Sequence, residues 1–355
     1  MKKILQMWVG RDLPLVHVKA NGHIRKVIAD LFIHPIKRRI SKYYCFILQK
    51  CFGLTVIGIT GSAGKTTTKE MISSVLRLSG KTVWSKDNID PIFNIPTTIL
   101  RCTPKTKYLI LEMGVEYPNE MDFYLWLVRP NVGVITNIFP THTLYFGDIN
   151  GVFKEKSKLV KNNDVAILNS DDLKLNALKK KINAKIFWFK SDNNPILQNE
   201  NAARITCQTL GIQDTLIEEG LKKYQSPKHR MSIIKHKSGA IIFDDTYNSN
   251  PEAFRKSLGY FLILAGNNKK IAVVGDMLEL GNIEVSEHER IGNEIQSKGF
   301  VKIIGVGKLV KFITSDVYSS YLEALPEIKK YLKPKTYIFV KGSRSIGLDK
   351  LVDLL

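Results

Sequence analysis

At 355 residues and 44% hydrophobic content, the chain is too long for one ordinary domain and fits two with an appendage. Its four cysteines, Cys45, Cys51, Cys102 and Cys207, keep no metal-like spacing; they read as buried thiols and exclude a disulfide-framed scaffold. The net charge of +20 points toward an anionic partner, yet no recognised module or aromatic-basic repeat supports nucleic acid. No apolar run reaches membrane-spanning length and no signal peptide follows Met1, so a soluble, intracellular, cytoplasmic protein is expected.

The charge is concentrated at the start. Eleven Lys and Arg against two acids fall within residues 1–50, with Lys37-Arg38-Arg39 close to Tyr43, Tyr44, Phe46, Ile47 and Leu48. Such a basic, partly amphipathic helical segment suits an anionic membrane surface at the inner face, or the phosphates of a substrate. A solvated basic helix packed on the main body is the plainer alternative.

Residues 54–59 are a β-type apolar run, followed by Thr60-Gly61-Ser62-Ala63-Gly64-Lys65-Thr66-Thr67 and then by a helical stretch. A Gly-rich loop between strand and helix is what a phosphate cradle needs. Gly61 and Gly64 let backbone N–H groups converge on an anion, and the helix N-terminus adds its positive dipole end. Lys65 supplies a mobile cation and Thr66 a hydroxyl for Mg²⁺. The helix that follows puts Met71, Ile72, Val75 and Leu76 on one stripe and ends near Gly80.

The next strand, residues 108–112, ends on Glu112. Carboxyl ends of strands face the ligand crevice in doubly wound sheets, so Glu112 is placed to hold a hard cation. Strand 132–136 closes on Asn137, and His142 follows as a candidate metal-site residue. On a helix spanning residues 149–161, Ile149, Val152, Phe153, Leu159 and Val160 share a face with Lys156, whereas Lys154, Lys158 and Lys161 lie opposite. Lys156 is therefore the inward lysine. A buried ammonium is costly unless paired or chemically changed. A desolvated neutral amine can add CO₂ and become a carbamate ligand for Mg²⁺; the alternative is a lysine snorkelling from a core face.

Strands at 165–169 and 186–189 complete a first alternation of strand and helix. After Ser226-Pro227 a second series begins, at 240–244, 271–275, 302–305 and 337–340. This alternation implies two α/β layers with mostly parallel sheets. The expected divisions are a basic segment 1–53, an ATP-binding domain 54–226 and a smaller Rossmann-like domain 227–355.

The short TGxxGKT form of the phosphate loop resembles that of the Mur ligases, ATP-dependent amide ligases of cell-wall synthesis. Thr136-Asn137-Ile138, His142 and Phe146-Gly147 resemble that family's TNI…H…FG pattern. The 151–158 segment is similar to the one carrying its carbamylated lysine, with Lys156 at the matching position. Asn169-Ser170-Asp171-Asp172 resembles the NADD turn. Asn199 heads an N-x-x-A-A match, which implies an adenine contact, and Arg230 a P-x-R match, which implies a phosphate contact brought by domain closure. The run from Asp244 to Pro251 is similar to DDxYNANP, implying that Asp245 meets ribose. The segments 275–281 with His288, and 341–345, resemble GDMLELG…H and KGSR. From these signatures Asn248, Asn250, His288, Lys341, Ser343 and Arg344 are implied as substrate residues, and Gly61, Ser62, Ala63, Gly64, Lys65, Thr66 and Thr67 as nucleotide ligands.

The resemblance is closest to the branch that adds D-alanyl-D-alanine, and it covers residues 54–350. It implies a P-loop ATPase domain with a Rossmann-like partner, a monomer, ATP, two Mg²⁺ ions held by Thr66, Glu112, His142 and carbamylated Lys156, and catalysis by Lys65, Lys156, His142 and Arg230. The substrates implied are a UDP-muramoyl-peptide and D-alanyl-D-alanine. Two departures stand out. Only residues 1–53 precede the loop where that branch has a UDP-sugar domain, and residues 86–96 are a loose version of its NxNNEIGxP-like loop. The alternatives are another amide ligase of the superfamily, of folylpolyglutamate or amino-acid-polymer type, and a non-catalytic ATP-binding protein at a membrane surface.

Overall fold

The computed structural model describes residues 32–86, 89–192 and 194–355. The basic residues within 1–31, and Asp87 and Asn88 of the loose loop, lie outside the described residues. The chain forms two compact units. The first contains the described residues up to Phe139, with Tyr145–Ser191 and Ile196–Tyr224; the second contains Pro140–Leu144, Asp192–Pro195 and Gln225–Leu355.

In the first unit six parallel strands, β1 (Thr55–Thr60), β2 (Thr82–Trp84), β3 (Tyr108–Glu112), β4 (Val132–Ile135), β5 (Val165–Asn169) and β6 (Lys185–Phe189), lie in the order β2-β3-β1-β4-β5-β6. Alternation along β1 explains the layering. Val56 faces one apolar cluster with Leu109, Leu111 and Ile135, while Ile57 and Ile59 face another with Ile110 and Val134. Burial on both faces is why these strands read as continuous apolar runs. Helix α1 (His34–Phe52), α2 (Lys65–Ser79), α3 (Pro91–Ile99), α4 (Glu120–Leu127), α5 (Ile149–Ser157), α6 (Pro195–Thr209) and α7 (Asp214–Lys222) flank the sheet. The α2 stripe of Met71, Ile72, Val75 and Leu76 is fully buried, as its spacing requires.

Helix α1 packs one face on this unit. Arg38, Ser41, Cys45 and Leu48 are buried, the Arg38 guanidinium lies 5.2 Å from the Phe123 ring centroid, and Tyr44 Oη donates to Cys102 O at 2.9 Å. To this extent the packed-helix alternative describes α1. Among the described residues no helix is long and apolar enough to cross a membrane.

The second unit holds β7 (Ser232–Lys235), β8 (Ile241–Asp245), β9 (Lys269–Gly275), β10 (Lys302–Val306), β11 (Val317–Tyr318) and β12 (Thr336–Lys341), in the order β11-β10-β9-β12-β8-β7. Only the β7–β8 pairing is antiparallel among the described strands. Phe243 and Phe339 of the sheet pack with Phe254 and Phe261 of α8 (Pro251–Ala265) in its aromatic core, which α9 (Glu284–Gln296) joins through Ile291 and Ile295.

One sequence expectation is corrected here. All four thiols are free, but Cys51 is exposed, because it lies on the outward side of α1, whereas Cys45, Cys102 and Cys207 are buried. Burial pushes each of these three up to about 12. We expect one thiol per native chain to react with Ellman's reagent at about pH 8, and all of them in denaturant. Loss of the fast-reacting thiol in Cys51→Ser identifies it; a second fast thiol in the native protein would contradict the burial.

Candidate active site

The loop between β1 and α2 is shaped by a sharp backbone path and by the strand beside it. Gly61 has φ +147° and Gly64 φ +80°, conformations that side chains rarely take. A Cβ on Gly61 would stand 1.9 Å from Thr136 Oγ1, and one on Gly64 2.2 Å from Asn199 Oδ1. Residues after β4 brace the loop. Asn137 O accepts from the Ser62 N–H at 3.1 Å, and Asn137 Oδ1 accepts from the Ala63 N–H at 2.8 Å. Asn137 Nδ2 and Thr136 Oγ1 both donate to Ala63 O, at 3.1 and 2.5 Å. Lys65 Nζ donates to Gly61 O at 3.0 Å, so the ammonium lies folded over its own loop. Gly61→Ala is expected to weaken ATP binding at least about tenfold and to lower stability by about 1–3 kcal/mol. Isothermal titration and denaturant melts measure both; an unchanged Kd would contradict the cradle.

Glu112 sits where the strand order places it, at the end of β3 beside β1. The Thr66 hydroxyl donates to its two carboxylate oxygens at 2.8 Å each, and the Ser85 hydroxyl accepts from its backbone N–H. A hydroxyl against a carboxylate offers the hard oxygen ligands that Mg²⁺ takes, with phosphate oxygens and water completing the set. Among the described residues no group of three or more His, Cys, Asp and Glu gathers at one point.

Lys69, which the sequence reading did not single out, is a buried neighbour of Glu112. It is 1% exposed and its Nζ lies 3.5 Å from Glu112 Oε2 and 3.1 Å from Glu70 Oε1. The signal was available: Lys69 precedes Ile72 and Leu76 by three and seven residues, the same inward-face test that singled out Lys156.

Lys156 is buried at 1% exposure on α5, which gives way to a tight 3₁₀ turn at Lys158–Val160. Lys154 is exposed, and Lys158 turns away to Asp122 and Glu155 at 2.6 Å each. Burial first, and then the Lys65 ammonium, hold Lys156 well below the ordinary lysine value; Glu120, Glu155 and Glu116 oppose this. Glu120 is itself buried and accepts the N–H groups of Glu116 and Tyr117, while Glu155 accepts from Met121 N–H. The electrostatic influence of Lys65 ties Lys156 to the phosphate loop. Asn199, at the head of the α6 match, accepts from Thr68 at 3.4 Å beside Gly64.

His142 groups with the second unit rather than the loop. It takes φ +52°, and its Nδ1 lies 2.5 Å from Glu279 Oε2, which holds the Glu279 carboxyl below the usual range. The structure thus joins His142 to Glu279, where the sequence pattern joins it to Glu112.

In the second unit the signature residues cluster at the ends of β8 and β12. Lys341 Nζ is buried and donates to Asp245 Oδ2 at 2.6 Å and to Asn248 O at 3.0 Å, while Asp245 Oδ1 accepts from Met231 N–H. Arg230 lies over the Tyr247 ring, 3.5 Å from its centroid, and Arg344 lies 5.0 Å from the same centroid. These two cations therefore share one aromatic platform. Asn250 caps α8 by accepting from Ala253 N–H, and Ser343 Oγ accepts from Leu278 N–H. His288 is fully buried, with Nε2 accepting from Met277 N–H and Nδ1 donating to Glu284 O. Both ring nitrogens are thus engaged within the protein, Nε2 on the 275–281 loop, at the residue that the sequence pattern implies as a substrate contact.

Comparison with known proteins now decides the family. The Mur ligase middle domain matches residues 59–229, and the Mur ligase glutamate ligase domain matches residues 229–344. A UDP-N-acetylmuramoyl-tripeptide–D-alanyl-D-alanine ligase of Buchnera aphidicola subsp. Baizongia pistaciae is 32% identical over 93% of this chain and 81% of its own. This chain belongs to the Mur ligase family. The ligase of the same name in Bacillus subtilis is 29% identical, over 89% of this chain and 78% of its own. Among solved Mur ligases, crystal structure I of MurF from Acinetobacter baumannii superposes with a TM-score of 0.82 at 25% identity, over 91% of this chain and 80% of its own. The two-sheet architecture with its phosphate loop is the Mur ligase fold.

Proposed function

We propose that this Mur ligase joins D-alanyl-D-alanine to a UDP-muramoyl-tripeptide at the expense of ATP, in the synthesis of peptidoglycan precursors. The observation that carries the reading is the braced phosphate loop, with Thr66 against Glu112 at 2.8 Å, in a chain 32% identical to a ligase named for that reaction. The γ-phosphoryl group passes to the peptide carboxylate, and the dipeptide amine then attacks the acyl-phosphate carbonyl, forming the amide and releasing phosphate. Such transfer is mostly positioning and charge neutralisation. Lys65 and the loop N–H groups orient the phosphates, and Thr66 and Glu112 would hold Mg²⁺. When bound, that ion neutralises phosphate and carboxylate charges that otherwise repel each other.

Lys156 enters as a carbamate. Its burial and the adjacent Lys65 charge favour a neutral amine, the form that adds CO₂, and the resulting anion is a ligand suited to a second Mg²⁺. Arg230 and Arg344, on their shared Tyr247 platform, supply cations for ATP phosphate and for the dipeptide carboxylate. Asn199 serves adenine and Asp245 ribose. His142 supports metal or substrate through Glu279. The enzyme acts as a monomer in the cytoplasm, with its basic segment 1–53 in peripheral contact with the inner membrane face.

A phosphate-release assay with ATP, UDP-muramoyl-tripeptide and D-alanyl-D-alanine, singly and together, tests the reaction. Release is expected only when both substrates are present, with one amide formed per phosphate. Turnover with a folate and glutamate instead would favour the folate-type ligase, and ATP binding without release in any combination would favour a non-catalytic protein. The branch of the relatives and the 244–251 and 275–281 signatures argue against both.

A further inference from the structure

Helix α1 is unusual in being apolar on the side it turns away from the protein. Apart from Pro35 in the first turn, its buried residues, Arg38, Ser41, Cys45 and Leu48, lie along one side, packed on the first unit. Opposite them, Ile33, Ile36, Ile40, Tyr43 and Ile47 are 45–65% exposed. Their spacing of 3, 4, 3 and 4 residues confines them to an arc of about 80° at roughly 100° per residue. Isolated exposed apolar residues need no explanation, but a five-member stripe along one helix does. The stripe runs most of the helix, which at a rise of about 1.5 Å per residue is roughly 28 Å long.

The charge on α1 selects the occupant. Between Phe32 and Phe52 there is no Asp or Glu, and Lys37, Arg39 and Lys50 border the stripe on its two sides. Heptad-like spacing would also suit a second copy of the helix. That pairing would set two acid-free basic helices against each other, with like charges along both margins. An anionic lipid surface meets both features at once: the stripe enters the boundary of headgroups and acyl chains, and the flanking cations reach lipid phosphates.

We propose that the outer face of α1 is a docking surface for an anionic membrane, lying in its plane and leaving the opposite face packed on the first unit. This names the face behind the peripheral contact proposed for segment 1–53, and it does not depend on the ligase reading, which the phosphate-release assay tests separately.

The full chain should sediment with vesicles of about 30% phosphatidylglycerol in phosphatidylcholine and remain in solution with pure phosphatidylcholine. Salt at about 0.5 M should release it, since polybasic contacts are screened. Ile40→Asp with Tyr43→Asp should lower partition at least about tenfold while leaving ATP-dependent phosphate release unchanged. Ile40→Ser with Tyr43→Ser, a milder change on the same face, gives the same reading should the acidic pair perturb folding. No sedimentation with anionic vesicles would overturn the proposal. So would equal partition of the variants, which would leave binding to charge elsewhere. A dimer seen by sedimentation equilibrium and dissolved by these substitutions would overturn it in favour of a second copy.

Discussion

Lys65→Ala is expected to bring ATP-dependent phosphate release below about a tenth of wild type, a rise in barrier of more than roughly 1.4 kcal/mol. The side chain is half-buried and its ammonium rests on Gly61 O, inside the loop that Asn137 and Thr136 hold open. Removing it takes away a cation of the cradle and its bond to Gly61 O, and as the side chain is only half-buried the melting temperature should stay close to that of wild type. The loss should fall on kcat as well as on KM for ATP, because charge on the transferring phosphoryl group develops after binding. Retention of more than a tenth of the wild-type rate would contradict the assignment of this loop. A second effect follows from the electrostatics: Lys65 helps to hold Lys156 in its depressed state, so the variant should also return Lys156 toward ordinary basicity.

Lys156→Ala is expected to inactivate to a similar degree, with a signature of its own. If the working group is a carbamate, short carboxylates such as acetate or formate should restore part of the activity by occupying the vacated anion position. Depletion of CO₂ should slow the wild-type enzyme reversibly and leave the rescued variant indifferent. The pH dependence has a definite sign. Burial and Lys65 lower the pKa of Lys156, so the neutral amine persists below the usual lysine range and is lost as pH falls through the depressed value. Wild-type activity should therefore fall on acidification more steeply than that of the acetate-rescued variant. Lys156→Arg separates the ideas most cleanly, because guanidinium keeps its charge and takes up no CO₂. Full activity in that variant would eliminate the carbamate. Because burying a polar lysine amine costs stability and a thioether of similar length does not, Lys156→Met should fold at least as stably as wild type.

The features legible in the sequence were those carried by periodicity or by a motif with a mechanical reason. The inward turn of Lys156 followed from helix angles alone, and the buried α2 stripe from the same arithmetic. The place of Glu112 beside the phosphate loop followed from a strand end in a doubly wound sheet, whereas its bond with Thr66 was a finding of the structure. Short edge strands were not legible. Three residues of β2, two of β11 and the half-exposed Ser-Ile-Ile-Lys of β7 carry too little pattern to stand apart from loops. His142 lies in a loop with positive φ, where no periodicity limits the direction of a side chain, and its Glu279 partner is 137 residues away. The stacking of Arg230 and Arg344 on Tyr247 depends likewise on three separate segments meeting. Lys69 was legible by the same arithmetic, three residues before Ile72 and seven before Leu76 on the inward side of α2.

The single exposed thiol makes the protein its own reporter. Cys51 sits near the end of α1 within about 20° of Ile33 and Ile40 around the helix axis, and the other three thiols are withheld by burial and weak acidity. A maleimide dye or nitroxide added to unmodified protein would label this one position, with no cysteine-free background to engineer. Its emission colour or accessibility to relaxants would then report, during turnover, whether the outer side of that helix stands in water or in lipid.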